Sequence, residues 1–397
     1  MLPEEPGALR ALLAAVAAGS AAPDDPRLQD TAKNSALALI GITTDAPELV
    51  QCVAEERGAL TALLSAVAAG GAAAPPSLQQ VAAHSALVLG FIANGVPEYA
   101  QRLAEEPGAL RAFVAAVAAG GAAAAPNLQN AAANSAVALR AIITRAPECV
   151  QLVAEEPGAL RALVAAVAAG SAMAAPDRQV AALSSVCSIA MKIQAGRAYV
   201  LRVAQEPGAL SALVAAVAAG GPTAASILQA VAKQSSLVLA NIASATPRLA
   251  QRLAEAESAL PALAAGMAAG GATATNCAEA LGAIAEAGPA LTQCVAKARG
   301  ALPALVAAAA AGGNASAAAG AAVAIIKSWA QAAVATAGAA CVHCGRSTDQ
   351  ATGVRLRVCA GCNTARYCNA ECQRHAWNGH KVACRALAAT SGGNVGA

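Results

Sequence analysis

Eight side chains that can bind a metal lie close together near the C-terminal end of the sequence. Their spacing is C-x2-C-x14-C-x2-C-x5-C-x3-C-x7-H-x3-C, and they are Cys341, Cys344, Cys359, Cys362, Cys368, Cys372, His380 and Cys384. Zinc prefers thiolate and imidazole donors, and a structural zinc ion takes four of them. The series therefore predicts two Zn²⁺ ions, both structural, because four protein ligands leave no position for a substrate.

The spacing also indicates how the chain presents these donors. A tight turn in each C-x2-C pair directs two thiolates toward one metal, and the C-x3-C and H-x3-C pairs place ligands one helical turn apart. A segment of this size buries too little apolar surface to fold alone, so metal binding is expected to supply its folding free energy. His343 and His375 are expected to be surface side chains.

The order of ligands resembles the MYND-type zinc finger, and the resemblance covers residues 341–384. The segments "GCNTARYC" and "CQRHAWNGHK" are also similar to the inner sequence of that family. The resemblance implies that the two sites interleave. One zinc ion would be held by Cys341, Cys344, Cys368 and Cys372, and the other by Cys359, Cys362, His380 and Cys384.

The same resemblance implies a binding role. MYND fingers typically bind short proline-containing peptides, often P-x-L-x-P, in a groove beside the C-terminal helix. The glutamine and tryptophan that contact the peptide correspond to Gln373 and Trp377. Ala360 replaces a serine that some members use as a third contact, which affects affinity or motif preference but not the fold. Trp377 could instead only pack the small core, and both interpretations stay open.

The sequence before the cysteines contains an internal repeat. The phrase "EEPGAL" begins at Glu4 and returns with variations, and each unit starts with glycine or serine. These positions are Gly7, Gly58, Gly108, Gly158, Gly208, Ser258 and Gly300. The spacing is about fifty residues and shortens to 42 at the end. A fixed period of this size is typical of a solenoid, in which stacked units bury each other's apolar faces.

Each unit is predicted to contain three helices. In one unit, the first helix begins at Pro147 and the second runs from Gly158 to Gly170. The third helix is clearest in the preceding unit, where it contains "LQNAAANSAVALRAI". The G-A-L-x-x-L-V and L-Q-x-x-A-A patterns resemble the armadillo repeat. The resemblance implies an all-α fold with a right-handed, armadillo-like solenoid over residues 1–336. Because the usual armadillo period is nearer 42, we expect an insertion between helices two and three.

The third helices would line a groove, but the asparagine with which armadillo importers clamp a peptide is mostly missing. The matching residues are Gly41, Phe91, Ala141, Met191 and Asn241. A polar column runs seven residues earlier, and it consists of Asn34, His84, Asn134, Ser184 and Gln234. This column could bind the backbone of a partner, or it could only solvate an otherwise apolar helix. The importer function is poorly supported, and the choice between these two roles stays open.

The metal-ligand spacing of the cysteines and the missing secretory signal favour an intracellular chain, with nucleus and cytoplasm unresolved. The first residues contain no basic and apolar segment typical of a secretory signal, and residues 385–397 are expected to form a flexible tail.

Residues 301–340 carry one charge but consist mostly of alanine and glycine, so we expect no membrane span. The net charge is +3, so nucleic acid is an unlikely partner. Five other cysteines are expected to be buried or half-buried thiols: Cys52, Cys149, Cys187, Cys277 and Cys294.

These observations favour a non-enzymatic scaffold for protein partners over an enzyme. The sequence has no SET-type methyltransferase segment, no phosphate-binding glycine loop and no His/Asp/Ser constellation, and nothing indicates a small-molecule substrate. The alternative is a ubiquitin-ligase-type zinc protein that captures substrates with its repeats, because RING fingers also interleave two zinc ions. An E2-dependent autoubiquitination assay would separate these two functions.

Overall fold

The computed structural model describes residues 7–45, 48–121, 123–170, 182, 196–335, 340–347 and 355–390. The described chain is helical except for one two-stranded sheet, and this agrees with the predicted all-α fold. The predictions for Ser184, Cys187 and Met191 lie outside the described residues, as does the third helix of the fourth unit apart from Ala182.

The helices of the repeats are of three kinds, in the predicted order. The first helices are α3 (Leu49–Glu55), α6 (Pro97–Glu105), α9 (Val150–Glu155), α11 (Gly196–Gln205), α14 (Pro247–Glu255) and α17 (Pro289–Lys297). The second helices are α1 (Ala8–Ala21), α4 (Ala59–Ala69), α7 (Ala109–Ala119), α10 (Ala159–Gly170), α12 (Ala209–Ala219), α15 (Ala259–Gly266) and α18 (Ala301–Ala311). The third helices are α2 (Pro26–Asp45), α5 (Pro76–Gly95), α8 (Pro126–Arg145), α13 (Ser226–Ala245), α16 (Gly271–Glu286) and α19 (Asn314–Ala335). Short 3-10 turns, Pro147–Cys149 and Met267–Ala269, precede α9 and follow α15.

Glycine and proline fix the ends of these helices. Gly58 and Gly108 precede α4 and α7 with φ angles of 79° and 80°, a left-handed conformation that glycine adopts without a steric penalty. Ser258 takes the same place before α15 with φ 59°. Pro76 and Pro97 begin α5 and α6, where a missing N–H costs no helical hydrogen bond.

The extra residues of the longer units lie in two places. Six residues, 70–75, separate α4 from α5, whereas in the 42-residue unit only Gly270 separates the 3-10 turn after α15 from α16. Helix α5 also has 20 residues, whereas α16 in a shorter unit has 16. The predicted insertion between helices two and three is therefore present, but part of it lengthens helix three itself.

The chain divides into two compact units. The first comprises Met1–Ala216 with Ser226–Val238, and the second comprises Val217–Ala225 with Leu239–Ala397. In the first unit the third helices α2, α5 and α8 pack side by side, and the second helices α1, α4 and α7 each pack on the third helix that follows. The buried side chains are mostly alanine, valine and leucine, so many small interfaces contribute to the core.

The paired glutamates of the repeat connect successive repeats of the first unit. The carboxylate of Glu55 accepts hydrogen bonds from the Gln51 amide at 2.9 Å and from the Tyr99 hydroxyl at 2.7 Å. Glu56 forms an ion pair with Arg10 at 3.0 Å. The hydrogen bond from Tyr99, followed by that from Gln51, lowers the pKa of Glu55. The pair therefore binds side chains of both neighbouring repeats.

The polar column has a role that neither sequence interpretation included. The Asn134 amide donates to the backbone carbonyl of Ala83 at 2.8 Å, which joins α8 to α5. His84, one unit earlier, hydrogen bonds to the backbone of Lys33. Both side chains therefore bind the preceding third helix of this chain. The buried Nδ1 of His84 has no hydrogen-bond partner among the described residues, whereas the Asn134 amide nitrogen has one in the Ala83 carbonyl.

His84→Asn is expected to reduce the acid sensitivity of the first unit. Burial is the main cause that lowers the pKa of His84, with Lys33 as an additional positive charge nearby. The neutral histidine contributes its full stability above the unfolded pKa of about 6.5, and this contribution is lost as the pH falls through the lowered folded pKa. The wild type should therefore lose stability relative to His84→Asn as the pH falls below about 6.5.

Urea unfolding of both proteins at pH 8 and pH 5 measures this difference, because asparagine does not titrate. Asn134→Ala serves as a control: it should cost about 1 kcal/mol at either pH, since it removes a neutral hydrogen bond. An equal pH dependence of the wild type and His84→Asn would contradict this role of His84.

In the second unit, α19 packs on α16 and α18. Among the residues that the structure describes, Asn314–Val334 is long and apolar enough to cross a membrane by length and composition, and two bent helix pairs would also qualify if each were one span. The absence of a membrane span therefore stays a prediction. Cys277 and Cys149 are buried as predicted, and burial raises the pKa of Cys277 to about 12. Cys52 and Cys294 are exposed, so the prediction was wrong for these two.

The last helix, α20 (Ala370–Thr390), follows a short sheet of β1 (Arg357–Val358) and β2 (Arg366–Tyr367). It extends past the last predicted ligand and buries Ala386, Leu387 and Ala388. The prediction of a flexible tail from residue 385 was therefore wrong for residues 385–390, because their apolar side chains pack against the repeats. Residues 391–397 lie outside the described part of the chain.

Candidate metal centre

Two similar turns present four of the predicted ligands. In the first, the Gly345 N–H donates to the Cys341 carbonyl at 2.9 Å, and Gly345 has φ 72°. In the second, the Asn363 N–H donates to the Cys359 carbonyl at 2.9 Å, and Asn363 has φ 51°. Glycine and asparagine are the residues that adopt this left-handed conformation most readily. Each C-x2-C pair therefore lies on a tight turn, as its spacing predicts.

The antiparallel sheet and α20 supply the other four ligands. Cys368 directly follows β2, and Cys372, His380 and Cys384 lie on α20. The Asn369 side chain accepts the N–H of Cys372 at 2.8 Å, which caps the start of α20. Because this cap fixes the first turn of the helix, it also fixes the position of Cys372.

The eight ligand atoms form two clusters, and within each cluster they lie within 4.8 Å of one another. The first cluster contains Cys341, Cys344, Cys368 and Cys372, and the second contains Cys359, Cys362, His380 and Cys384. In the second, the Cys359 and Cys384 sulfurs are 3.7 Å apart, and the Cys362 sulfur is 3.6 Å from Nε2 of His380. With a Zn–S bond of about 2.3 Å, tetrahedral ligands lie about 3.8 Å apart. Both donor sets fit zinc, and the interleaved assignment is confirmed.

The pKa shifts in the first cluster indicate why its thiols need a cation in order to ionise together. Burial alone would raise the pKa of Cys341, but backbone N–H groups, first that of Cys344, lower it to about 6. Hydrogen bonds that the Cys368 thiol donates to Cys344 and Cys341 raise the pKa of Cys368 to about 12. One thiol of the cluster is thus readily ionised, while the negative charge that results disfavours ionisation of its neighbours. A divalent cation at the centre would remove this repulsion and allow all four thiolates to form.

The two clusters differ in exposure. All four ligands of the second cluster are buried, whereas in the first only Cys341 is buried and Cys344 is exposed. A side chain at Gly361, inside the second turn, would lie 2.9 Å from the Cys384 sulfur, so the backbone passes close to this cluster. The corresponding residue of the first turn is His343, which is exposed as predicted and stacks on the exposed His375 with ring centroids 5.2 Å apart.

A pocket of about 420 Å³ lies beside the clusters. Its lining residues are Ala370, Gln373, Arg374 and Trp377, all on one side of α20. Trp377 is 38% exposed, and the edge of its ring meets the ring of His380 at 6.0 Å. The Gln373 amide donates to the Cys359 sulfur at 3.8 Å. Both predicted contact residues therefore line one pocket, and each also supports a zinc ligand.

The sequence did not single out two features of this site. Tyr367 is fully buried and its ring meets His380 at 5.8 Å, so it forms much of the small core. Burial and the neighbouring cysteines, first Cys359, raise its pKa. Arg374 also lines the pocket. Its position three residues before Trp377 was the available signal, since that spacing places two side chains on one helix face.

Comparison with known proteins agrees with this geometry. Residues 341–384 match the family model described as the MYND finger. A comparison with curated protein sequences found no match. The crystal structure of a computationally designed armadillo repeat protein for modular peptide recognition is similar to this chain. The two are 25% identical with a TM-score of 0.51, over 67% of this chain and 99% of the designed chain.

UNC-45 from Drosophila melanogaster is similar in fold, with 15% identity and a TM-score of 0.55. The match covers 97% of this chain and 52% of UNC-45, so this chain spans about half the length of that protein. The helical repeats are therefore armadillo-like, and the predicted architecture is confirmed.

Proposed function

We propose that this chain is a non-enzymatic scaffold for protein–protein interaction, whose finger binds proline-containing peptides and whose repeats present a groove to a second partner. The observation that carries the proposal is the pocket on α20, where the ring of Trp377 is 38% exposed beside Gln373. An exposed tryptophan at the wall of a pocket is the kind of side chain that dominates binding energy in peptide complexes.

The zinc ions serve this function by positioning the pocket. When bound, zinc would be held in each cluster by four protein donors and would act as a structural cross-link. Three of those donors, Cys372, His380 and Cys384, lie on the same helix as the pocket. The Gln373 amide and the Trp377 ring are held in place by their contacts with Cys359 and His380. These contacts keep the pocket residues in a fixed geometry.

The groove of the repeats is supported by an aliphatic column in the first unit. Leu37 on α2 is 54% exposed, and Leu87 on α5 and Val137 on α8 occupy the equivalent positions and are half-buried. Three adjacent helices thus present one apolar side chain each at the same register. The designed armadillo protein for modular peptide recognition has similar helices, which supports an extended peptide as the partner of this face.

Trp377→Ala is expected to weaken binding of a P-x-L-x-P peptide by at least about tenfold, because truncation of a tryptophan anchor removes most of its contact area. Isothermal titration of the full, zinc-loaded chain measures this effect. Trp329→Ala, which changes the only other tryptophan of the sequence, is the matched control and should bind as the wild type does.

Trp377 also contacts a zinc ligand, so the metal content of each variant must be measured in parallel. Unchanged peptide affinity of a Trp377→Ala variant that retains two zinc ions would contradict the proposed site. Autoubiquitination in the presence of an E2 enzyme tests the ligase alternative, which stays a prediction, as does the intracellular location.

A further inference from the structure

The pocket on α20 has a cation in its wall. Arg374 is exposed and lines the pocket together with Trp377, Gln373 and Ala370. In the described part of the chain, no carboxylate lies within ion-pair distance of Arg374. The nearest acidic residue in sequence, Glu371, instead faces His375 at 3.8 Å. The guanidinium is therefore available to a ligand that enters the pocket.

The surroundings of the pocket are also positive. Residues 340–347 and 355–390 carry seven lysine or arginine side chains and one carboxylate, that of Glu371. Two zinc ions with seven thiolates would add three negative charges, which are fewer than the excess of cations. Since these cations are mostly exposed, the field around the pocket attracts anions and repels basic peptides.

We propose that the finger selects peptides that carry a carboxylate side chain close to the residue anchored on Trp377, and that Arg374 binds this carboxylate. This inference rests on the proposed peptide-binding function. Side chains three positions apart on a helix lie about 5–6 Å from each other. An extended peptide advances about 3.3 Å per residue, so the carboxylate belongs about two residues from the anchor. Arginine suits this task because its planar fork can donate two hydrogen bonds to one carboxylate.

An aspartate scan tests the proposal. In a series of P-x-L-x-P peptides with flanking residues, one aspartate is moved through every position outside the motif residues, and a second series carries asparagine at the same positions. The full zinc-loaded chain should bind one or two neighbouring aspartate peptides about three- to tenfold more tightly than their asparagine partners at low salt. This preference should shrink as the salt concentration rises, because the pair is exposed.

Variants assign the preference to one side chain. Arg374→Gln should abolish it, and Arg374→Glu should instead favour a peptide with lysine at the same position. Arg385→Gln, which removes an exposed cation three helical turns further along α20, should leave the preference intact. Equal affinity of aspartate and asparagine peptides at every position would overturn the proposal, as would a preference that survives Arg374→Gln.

The outcomes also distinguish a failure of this inference from a failure of the proposed peptide-binding function. Asparagine peptides that bind through Trp377, with no gain from aspartate, would leave the proposed function standing and remove only the role of Arg374. If neither the aspartate nor the asparagine peptides bind, the proposed peptide-binding function and the role of Arg374 are both overturned. A gain from phosphoserine without one from aspartate would show that the site reads phosphate, and the carboxylate proposal would then be wrong.

Discussion

Removing zinc from the full chain is expected to expose the last repeat as well as unfold the finger. Helix α20 carries three ligands, and its further half buries Ala386, Leu387 and Ala388. This half packs against α19, with additional contacts to α17 and α18. Without metal the finger has too small a core to hold α20 in place. When zinc is removed, α20 therefore no longer covers α17, α18 and α19.

Hydrogen exchange before and after chelation measures this coupling. Amide protection should fall by at least about tenfold in α20 and should also fall in α19, because neighbouring elements of a repeat protein stabilise each other. Helix α5 of the first unit provides an internal reference. Cys384→Ser should reproduce the effect of the chelator, whereas Cys294→Ser, at an exposed cysteine outside both clusters, should not. Unchanged protection of α19 after complete zinc removal would show that α20 does not stabilise the last repeat.

Leu387→Ala separates docking of α20 from metal binding. Leu387 is 3% exposed and lies beyond the last zinc ligand. Its truncation should cost about 2–5 kcal/mol at the contact with the repeats. We expect two zinc ions to remain bound in this variant while the protection of α19 decreases.

A methyl group added at Gly70 is expected to destabilise the first unit by about 1–3 kcal/mol. Gly70 directly follows α4, where the chain passes close to α5. The new Cβ would overlap the Cβ of Ala82 and lie 3.1 Å from the carbonyl oxygen of Leu78. Since one of these neighbours is backbone and the other belongs to a buried residue, the helices must move apart to accept Gly70→Ala.

The adjacent glycine provides a matched control. A Cβ at Gly71 would meet no atom within 4 Å. Gly71→Ala should therefore be neutral or slightly stabilising, since it reduces only the freedom of the unfolded chain. Thermal unfolding of the two variants and the wild type measures the difference. If both substitutions have the same effect, close approach of the helices at Gly70 is not a source of stability.

The sequence predicts those features that depend on local chemistry. Gly58 and Gly108 mark helix starts because few other residues adopt their positive φ angles, and Pro76 marks a helix start because it lacks an N–H. The zinc ligands are predictable for a related reason, since their spacing follows from the turns and the helix that present them. These rules act over a few residues, so one sequence is enough to apply them.

Features that depend on packing between distant segments could not be predicted. The buried end of α20 resembles a tail in sequence, because "RALAAT" is short and rich in alanine, and only its contact with α19 fixes it as helix. The hydrogen bond from Asn134 to Ala83 crosses 51 residues, so the column was interpreted as a surface for a partner. Arg374 likewise could not be assigned to a binding site from the sequence, because only the fold brings it to the pocket beside Trp377.

Metal analysis of the purified full chain tests most directly whether two interleaved zinc sites organise the finger. Our account predicts two zinc ions per wild-type chain, and one ion in Cys344→Ser, since the second cluster keeps its four buried donors. Cys294→Ser should retain both ions. A wild-type chain with fewer than two zinc ions would contradict the ligand assignment, and with it the pocket that depends on the finger fold.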